Sequence, residues 1–394
     1  MQTLYNISIY LYIISIHIYS LFNTKSKLWV KGRKRIFKKI KNKLSQEKNI
    51  VWIHCSSLGE FEQAKPIIIN YRKKYQNHKI LLTFFSSSGY EVQKDYKNVD
   101  WVFYLPADTK KNSKKFLDIV KPIKVIFIKY EFWFNYIQEC RKRQIPFYMI
   151  ASVFRKNQFI LKYEWFKKQL SKISHFFVQD EKSALLLKSK GIYNTTVTSD
   201  TRFDNVILNR INKVDVPAVN DFVKDKKTII FGSTWKKDED LLMSFIKKNN
   251  QLNYILAPHE LNNIESIQRK TKGLLYSKYK KSKLITSNIL IIDKIGILSN
   301  IYQYGDVAYI GGGFGKGIHN ILEPLTFGVP VIFGPNYKKY NEAREVLRKG
   351  IGYSINNLQE LTNAFKKLAV VDNKLAIDYI EENSGATKEI LNHI

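Results

Sequence analysis

Glycines and a carboxylate combine in a pattern that suits nucleotide binding in residues 305–340. Five of the seven residues from 311 to 317 are glycines, which permit positive φ angles and a close approach of the backbone to a ligand. The segment predicts a strand, a glycine turn, a helix capped by Asn320 and a second strand, which is half of a nucleotide-binding α/β unit. Glu323, in the first helical turn, can hold the ribose hydroxyls of a nucleotide or form a capping box with Asn320.

Two further carboxylates follow apolar strands in the first half of the chain. Glu60 ends the sequence HCSSLGE, residues 54–60, where it can take a proton from an attacking hydroxyl or only complement a helix dipole. Glu131 lies in KYEFWFN, residues 129–135, and Arg202 supplies a cation in SDTRFD. Ligands of open α/β sheets bind at the carboxyl ends of the strands. We therefore expect Glu60, Glu131 and Arg202 near one reaction centre.

Short polar motifs also follow predicted strands in the second half. The sequence GST at residues 232–234 can bind a phosphate through backbone N–H groups, or can be a turn with an N-cap. His259 either faces the ligand or is a solvated loop residue. The acidic run at residues 238–240 falls in the first turn of a predicted helix, where it complements the dipole. We therefore predict no metal site.

The composition indicates a globular protein with two cores. The chain has 394 residues, of which 44% are hydrophobic, and this length favours two domains. Its net charge of +31 suits nucleic acid or an anionic membrane. The cations are spread over the whole chain, however, and no RRM, KH or helix-turn-helix signature is present, so we predict no nucleic-acid partner. The two cysteines, Cys55 and Cys140, lack CxxC spacing, which argues against a disulfide framework and favours a reducing compartment.

The N-terminal segment predicts a membrane anchor. Residues 1–24 carry no Asp, Glu, Lys or Arg, and the apolar stretch 4–22 is just long enough to span a bilayer as a helix. A basic juxtamembrane segment, residues 25–49, follows, which is the positive-inside pattern. We predict an uncleaved anchor with the remaining chain on the cytoplasmic side. The alternative is a helix that lies in the interface, with its basic segment on anionic headgroups.

The rest of the chain alternates between strands and helices, which predicts parallel sheets. We expect an N-terminal domain over residues 50–205, a linker at 206–227 and a C-terminal domain over 228–394. Each would be a doubly wound, Rossmann-like α/β domain, and the two would face a central cleft. The predicted strands are 50–54, 80–84, 102–105, 125–128, 146–152 and 176–178 in the first domain, and 228–231, 254–257, 289–292, 307–310 and 329–333 in the second.

Five short blocks in this order resemble those of the Kdo (3-deoxy-D-manno-octulosonic acid) transferases of lipid A assembly, which are GT-B glycosyltransferases. The blocks are HCSSLGE at 54–60, LPAD at 105–108, EFWFN at 131–135, GST at 232–234 and GIHNILE at 317–323. The resemblance extends from the N-terminal segment to about residue 347. It implies a GT-B fold of two Rossmann-like domains behind an anchor helix in the cell inner membrane.

The resemblance also implies substrates and residue roles. The donor would be CMP-Kdo and the acceptor a lipid A precursor (lipid IVA), with inversion at the anomeric carbon and no cofactor. Glu60 would be the catalytic base, while Glu131 and Arg202 would position groups or stabilise charge. The implied acceptor-binding residues are Ser57, Gly59, Ser87 and Ser88. The implied donor-binding residues are Gly232, Ser233, Thr234, Pro258, His259, Ile295, Gly296, Ile297, Gly312, Gly313, Asn320, Ile321, Leu322 and Glu323.

Several positions depart from the family pattern. The family's Pro-Arg-His is replaced by Pro258-His259-Glu260, so a basic contact to the donor is expected to be weaker or replaced. Its Met-Gly-Glu loop is replaced by residues 295–297, Ile-Gly-Ile, which offer only backbone groups to the nucleobase. Phe134 and Ile321 replace family prolines, which should change local stiffness more than chemistry.

Two alternatives follow from the same residues. The nearer is another membrane-associated GT-B enzyme that uses a UDP-sugar, and the farther is a basic nucleic-acid-binding protein.

The segment 154–177, rich in Lys and aromatic residues, predicts a helix that lies on anionic lipid, or an ordinary amphipathic helix packed on the sheet.

Overall fold

Two compact units make up the computed structural model, which describes residues 1–224, 226–279 and 287–394. The first unit comprises Met1–Asn205 together with Ser384–Ile394, and the second comprises Val206–Asn383. Residue 225 of the predicted linker and residues 280–286 of the predicted second domain lie outside the described residues.

The first unit contains a parallel sheet whose seven strands follow the order β3-β2-β1-β4-β5-β6-β7. Its elements are α1 (Gln2–Tyr19), α2 (Thr24–Arg33), α3 (Ile36–Leu44), β1 (Ile50–Cys55), α4 (Leu58–Lys74), β2 (Lys79–Phe84), α5 (Ser87–Gln93), β3 (Trp101–Tyr104), α6 (Lys110–Val120), β4 (Lys124–Ile128), α7 (Phe134–Lys142), β5 (Phe147–Ser152), α8 (Glu164–Leu170), β6 (His175–Val178), α9 (Glu181–Lys188), β7 (Thr195–Val197) and α10 (Thr201–Ile211).

The second unit repeats this plan, and its described strands form a parallel sheet in the order β10-β11-β9-β8-β12-β13-β14. The elements that follow α10 are α11 (Pro217–Val223), β8 (Thr228–Thr234), α12 (Lys236–Lys248), β9 (Asn253–Pro258), α13 (Ile264–Thr271), β10 (Leu274–Leu275), β11 (Ile289–Ile291), α14 (Leu298–Ile301), β12 (Val307–Ile310), α15 (Leu322–Leu325), β13 (Val331–Phe333), α16 (Asn341–Arg348), β14 (Gly352–Ser354), α17 (Leu358–Leu368), α18 (Asn373–Glu382) and α19 (Ala386–His393).

The predicted fold class is confirmed: both units are α/β and their sheets are parallel. Helices cover both faces of each sheet, and the central strands β1 and β9 are buried at every residue. This burial explains their continuous apolar sequences. The prediction missed β7, β10 and β14, which are two or three residues long and lie at or next to sheet edges.

The unit boundaries differ from the predicted domains. Residues 206–227 are not a plain linker, because they contain the end of α10 and all of α11. The predicted second domain, 228–394, also loses its last segment to the first unit. There Asp204 accepts hydrogen bonds from the backbone N–H groups of Gly385 and Thr387, at 2.6 Å each. The Lys74 ammonium donates to the carbonyl of Leu391 at 2.6 Å.

The segment 154–177 is also not the single helix that we predicted. Only α8 is α-helical in it, preceded by a short 3₁₀ turn at Phe159–Leu161 and followed by β6. Phe154 and Leu170 are buried in the core. Phe159 and Tyr163 remain exposed, so this segment divides its aromatic residues between core and surface.

Helix α1 packs along the first unit on one side only. The Tyr5 ring contacts Phe134 and Trp165, with ring centroids 5.1 and 5.9 Å apart. The opposite side is apolar and exposed, since Leu4, Leu11 and Ile18 keep 62, 58 and 59% of their surface. Of the helices in the described residues, none is long and apolar enough to cross a membrane alone. Helices α1 and α2, bent by 120° at their junction, meet that requirement of length and composition only as a pair.

Asp108 connects α1 to the sheet. Its carboxylate accepts the Tyr5 hydroxyl and the backbone N–H groups of Asn135 and Tyr136, the latter two at 3.0 Å. Burial raises the pKa of Asp108 to about 6, although these three donors oppose the shift. Asp108 belongs to the LPAD block, and its contacts make it a structural residue that fixes the start of α7 and the position of α1.

We predict that Asp108→Ala destabilises the first unit by at least about 2 kcal/mol, because two buried N–H groups lose their acceptor. Thermal unfolding should show a decrease in Tm of at least about 4 °C. Asp118→Ala is the control, since Asp118 is half exposed and its ion pair is with the surface residue Arg143; it should change the Tm by less than about 2 °C. Equal Tm values for the two variants would contradict the structural role of Asp108.

Candidate active site

The first sheet has a topological switch point between β1 and β4. From β1 the chain builds outward through β2 and β3, and then returns to place β4 on the other side of β1. Loops that leave neighbouring strands in opposite directions open a crevice at the carboxyl ends, where open α/β sheets bind ligands. Glu60 follows β1 and Glu131 follows β4. The fold therefore brings together the two carboxylates that the sequence predicted near one reaction centre.

Glu60 is held at the first turn of α4. Its carboxylate accepts the backbone N–H groups of Ser56 and Ser57. Burial raises the pKa of Glu60 to about 8, and the neighbouring Glu131 charge adds to this shift, while the two N–H groups and Lys129 oppose it. The N–H contacts fit the helix-dipole interpretation, but they do not bring the pKa back to the ordinary range. A carboxylate with this pKa is a stronger base than a solvated one.

Glu131 is oriented by two aromatic side chains. The Trp133 indole N–H donates to its Oε2 atom at 2.6 Å, and His54 Nε2 lies 3.4 Å from the same atom. His54 is fully buried, and its Nδ1 atom lies 2.9 Å from the Thr83 hydroxyl. That hydroxyl accepts the Trp52 N–H at 2.8 Å, and His54 Nδ1 also lies 3.1 Å from the Thr83 carbonyl oxygen. These contacts fix the ring of His54 with its Nε2 atom towards Glu131.

Arg202 is bound to a buried carboxylate next to α4. Asp200 accepts the Arg202 backbone N–H and Nε, each at 2.9 Å, and its Oδ2 atom lies 2.8 Å from Nη2. Asp200 also accepts the Gln63 amide at 3.1 Å, and Gln63 lies one helical turn after Glu60. Burial alone would raise the pKa of Asp200, but the Arg202 charge and hydrogen bonds outweigh it and lower the pKa. Arg202 is thus tied, through Asp200 and Gln63, to the helix that carries Glu60.

The predicted acceptor residues surround the starts of α4 and α5. The backbone N–H of Ser86 donates to the carbonyl of Ser56 at 2.8 Å, which places the two helix starts side by side. Gly59 and Ser88 are exposed and Ser57 is partly exposed. Ser87 is buried, and its hydroxyl donates to the Lys25 carbonyl at 3.3 Å. It therefore faces α2 rather than the crevice.

The predicted donor residues meet at the carboxyl ends of β8, β9 and β12. The backbone N–H of His259, after Pro258, donates to the Thr234 carbonyl, and that of Gly311 donates to the Gly232 carbonyl, both at 2.9 Å. A Cβ atom at Gly311 would lie 2.2 Å from the Ser233 carbonyl oxygen, so only glycine allows this approach. The glycine turn and the GST motif therefore form one continuous backbone surface.

Asp238 holds this backbone surface in place through hydrogen bonds. Its carboxylate accepts the backbone N–H groups of Trp235 and Gly312 at 2.9 Å and the Tyr309 hydroxyl at 2.7 Å. Asp238 does lie in the first turn of α12, as predicted, but it also ties the glycine turn to that helix. Within residues 1–224, 226–279 and 287–394, no three His, Cys, Asp or Glu side chains are grouped as metal ligands would be. Metal independence stays a prediction.

Sequence reasoning missed a cluster of three rings on this surface. His259 stacks on Trp235 and on His319, with ring centroids 4.5 Å apart in both pairs. The Trp235 indole N–H donates to His319 Nε2 at 2.9 Å. Burial and the neighbouring His259 lower the pKa of His319 to about 4, so this ring is neutral at pH 7. His259 is therefore a stacked residue, and a signal was available, because Trp235 and His319 directly adjoin predicted site residues.

Glu323 lies on a helix that is shorter than predicted. The predicted helix is present as α15, but it is a single turn, too short to have a strong dipole at its start. The Asn320 side chain accepts the Leu322 N–H and donates to Glu323 Oε1, both at 3.1 Å. A capping box would instead place the Glu323 carboxylate on the Asn320 backbone N–H. The amide contact orients Glu323 without the helix dipole.

The remaining predicted donor residues differ in exposure. Ile321 and Leu322 are buried and belong to the core. Gly313 packs against Gly334, where a Cβ atom would lie 2.5 Å from the backbone nitrogen. In the loop before α14, Ile295 is 81% exposed. Ile297 there is partly exposed and Gly296 has a φ of 88°.

Comparison with known proteins finds one matching family and several proteins of similar sequence. Residues 31–205 match the family described as 3-Deoxy-D-manno-octulosonic-acid transferase (kdotransferase). A 3-deoxy-D-manno-octulosonic acid transferase of Rickettsia bellii is 28% identical over 352 residues, covering 85% of this chain and 83% of the relative. The 3-deoxy-D-manno-octulosonic acid transferase of Aquifex aeolicus is 26% identical over 353 residues, covering 88% of this chain and 92% of the relative. A bifunctional glycosyltransferase/methyltransferase of Fusobacterium nucleatum is 28% identical over 82% of this chain, which spans 53% of that relative.

Solved structures share the fold at low identity. The UDP-GlcNAc 2-epimerase of Neisseria meningitidis has a TM-score of 0.59 at 16% identity. The match covers 87% of this chain and 98% of the epimerase chain. Acinetobacter baumannii MurG has a TM-score of 0.56 at 12% identity, covering 88% and 99%. Residues 31–205 thus match this family, the chain is similar over most of its length to 3-deoxy-D-manno-octulosonic acid transferases, and its two α/β units share the GT-B type of fold with these solved structures.

Proposed function

We propose that this chain is an inverting, metal-independent glycosyltransferase that moves Kdo from CMP-Kdo to a lipid A precursor, lipid IVA, at the start of lipopolysaccharide core synthesis. The observation that carries the proposal is the buried carboxylate pair at the first switch point, in which Glu60 has a raised pKa. The names of the relatives supply the sugar. Incubation of the purified protein with CMP-Kdo and lipid IVA, followed by mass spectrometry of the lipid, tests it.

In the proposed reaction Glu60 removes the proton from an acceptor hydroxyl. The hydroxyl oxygen attacks the anomeric carbon of Kdo from the side opposite the leaving group. The bond from that carbon to the phosphate oxygen breaks, and CMP leaves with the electron pair. Glu131, oriented by Trp133 next to His54, acts on Glu60 through its charge, and Arg202 is tied to the same helix through Asp200 and Gln63. Both side chains would stabilise charge on the sugar.

Donor binding is proposed for the second unit. The backbone surface of residues 232–234 and 311–313 can accept the single phosphate of CMP, which demands less positive charge than a diphosphate does. Glu323 would accept the ribose hydroxyls. Burial raises the pKa of the nearby Tyr302, and the Glu323 charge adds to this shift. A UDP-sugar donor is the alternative. A larger increase in Tm with UDP than with CMP would favour it.

We further propose that the protein works on the cytoplasmic side of the cell inner membrane, with α1 lying in the interface rather than crossing the bilayer. A helix that packs on the first unit through Tyr5 cannot at the same time be surrounded by lipid. Its exposed side carries Leu4, Leu11 and Ile18 and suits the acyl boundary.

Glu60→Gln should lower kcat by ~10²–10⁴-fold while CMP-Kdo affinity changes little, because the amide cannot accept the proton. In the unmodified enzyme the deprotonated base is active, so kcat/KM should rise tenfold per pH unit towards a plateau above about pH 8. Glu131→Gln removes the neighbouring negative charge, so the midpoint of its pH profile should lie at lower pH. A Glu60→Gln variant with full turnover would assign the base elsewhere.

Glu323→Gln should weaken CMP binding by about 10- to 150-fold, which corresponds to roughly 1.5–3 kcal/mol for a charge-assisted hydrogen bond. Isothermal titration calorimetry with CMP measures the loss. Glu345→Gln, an exposed change in α16, is the control and should bind CMP normally. A Glu323→Gln variant that loses stability but binds CMP like the control would leave Glu323 a purely structural role.

Replacing Leu4, Leu11 and Ile18 by Ser should lower vesicle binding at least tenfold, because each side chain would lose about 1 kcal/mol or more of apolar burial. The matched control replaces Val92, Leu185 and Leu375, which are equally exposed but lie outside α1. Co-sedimentation with vesicles measures both variants. Retention of the α1 variant in the membrane after alkaline extraction would favour the spanning anchor instead.

A further inference from the structure

A cavity of about 980 Å³ lies within the first unit, between the N-terminal helices and the start of α6. Helix α1 supplies Ile13, His17 and Ser20 to its wall, and α6 supplies Lys115. Its size is within the range of small-ligand sites. The proposed transfer reaction uses none of these residues, so the cavity needs a separate explanation.

The walls of this cavity are fixed by packing. A Cβ atom at Gly32 of α2 would lie 2.1 Å from the Tyr104 ring, so α2 lies directly on that ring. Helix α3 buries Ile36, Ile40 and Leu44 at a helical spacing. The cavity is therefore part of the folded unit and not a gap beside a loose basic tail.

The lining combines positive charge with apolar surface. None of its described residues is acidic, and seven are cationic: Lys27, Lys31, Arg33, Lys34, Arg35, Lys38 and Lys115. The apolar part of the lining comprises Ile13, Trp29, Val30, Ile36, Phe37, Pro106 and Ala107. In the described part of the chain, no carboxylate forms an ion pair with any of the seven cations. A diffuse basic surface would not contain this apolar floor.

Arg33 gives the strongest indication that the cavity binds an anion. Its guanidinium donates to the carbonyls of Leu105 and Phe85 at 2.8 Å and of Trp29 at 3.2 Å, and it lies 3.8 Å over the Trp29 ring. Burial lowers the pKa of Arg33 to about 9. Three neutral carbonyls orient this cation but do not neutralise it, and an anion in the cavity would do so.

Aromatic contacts connect the cavity wall to the candidate active site. The Trp29 and Phe85 rings lie 5.7 Å apart, and the Phe85 and Trp133 rings lie 4.5 Å apart. Trp133 donates its indole N–H to Glu131. Helix α1 contributes to the cavity wall and also carries the exposed apolar side described above.

We propose that this cavity is a discrete binding site for the phosphate group of an acylated lipid, with the phosphate on the cations of α2, α3 and α6 and the acyl chains along the apolar wall. A single lipid held there would fix the orientation of the first unit on the membrane. The inference rests on the proposed membrane association but not on Kdo transfer, and binding alone tests it.

The experiment measures binding of dioctanoyl phosphatidic acid to the full chain by titration calorimetry, with native mass spectrometry for stoichiometry. One lipid per chain should bind, and the variant Lys31→Gln, Lys34→Gln, Lys115→Gln should bind it at least tenfold more weakly. The matched control is Lys182→Gln, Lys188→Gln, Lys190→Gln, which removes the same charge from α9 and its C-terminal end and should bind within twofold of the unmodified chain. All six lysines are exposed, so folding is preserved.

Further ligands identify what the site recognises. Tighter binding of the phosphomonoester than of dioctanoyl phosphatidylglycerol would indicate a phosphorylated acceptor lipid, and the reverse order would indicate a membrane phospholipid; either order supports a phosphate site. Three outcomes would overturn the proposal: equal weakening in both triple variants, equal binding of decanoate, or equal binding of inorganic phosphate without acyl chains. A protein inactive in Kdo transfer but saturable by one lipid would reject the proposed function and keep this site.

Discussion

The candidate site depends on the cost of holding two carboxyl groups close together away from bulk water. Glu60 and Glu131 repel each other when both are ionised, and burial increases that repulsion because little solvent screens it. The fold maintains the pair with fixed groups: the N–H groups before α4 donate to Glu60, the Trp133 N–H donates to Glu131, and the buried His54 ring lies beside Glu131. The central strands, the short turns after them and the buried histidine all serve this one arrangement.

The second unit solves a different problem with the same plan. At its switch point between β8 and β12, the buried Asp238 binds two backbone N–H groups and a tyrosine hydroxyl, and so fixes a glycine turn whose backbone can approach a ligand. Where the family pattern has Pro-Arg-His, this chain has His259 in a stack of rings, Trp235 on His259 and His259 on His319.

The sequence was sufficient for features with strong local signals. Apolar runs such as Ile50–Cys55 predicted the central strands, and polar residues after them predicted the site, because parallel strands end at one edge. The shortest strands, such as Leu274–Leu275, carry too few residues for any periodicity. The single turn of α15 and the stacking of Trp235 were not predicted, since both result from tertiary contacts. The cavity was also missed: the basic segment was visible, but its apolar floor exists only after α2 and α3 have packed.

Helix α19 has a consequence for how the protein is synthesised. The second unit is one continuous segment, so all of its strands are available as soon as residue 383 has emerged from the ribosome. The first unit is interrupted, and its last segment, which binds Asp204 and packs Ile390 and Leu391 into the core of that unit, is made only afterwards. The part of the chain that is translated first is therefore completed last. Until then the apolar surface that α19 covers is exposed to solvent. The nascent first unit therefore depends on chaperones to protect this surface from aggregation.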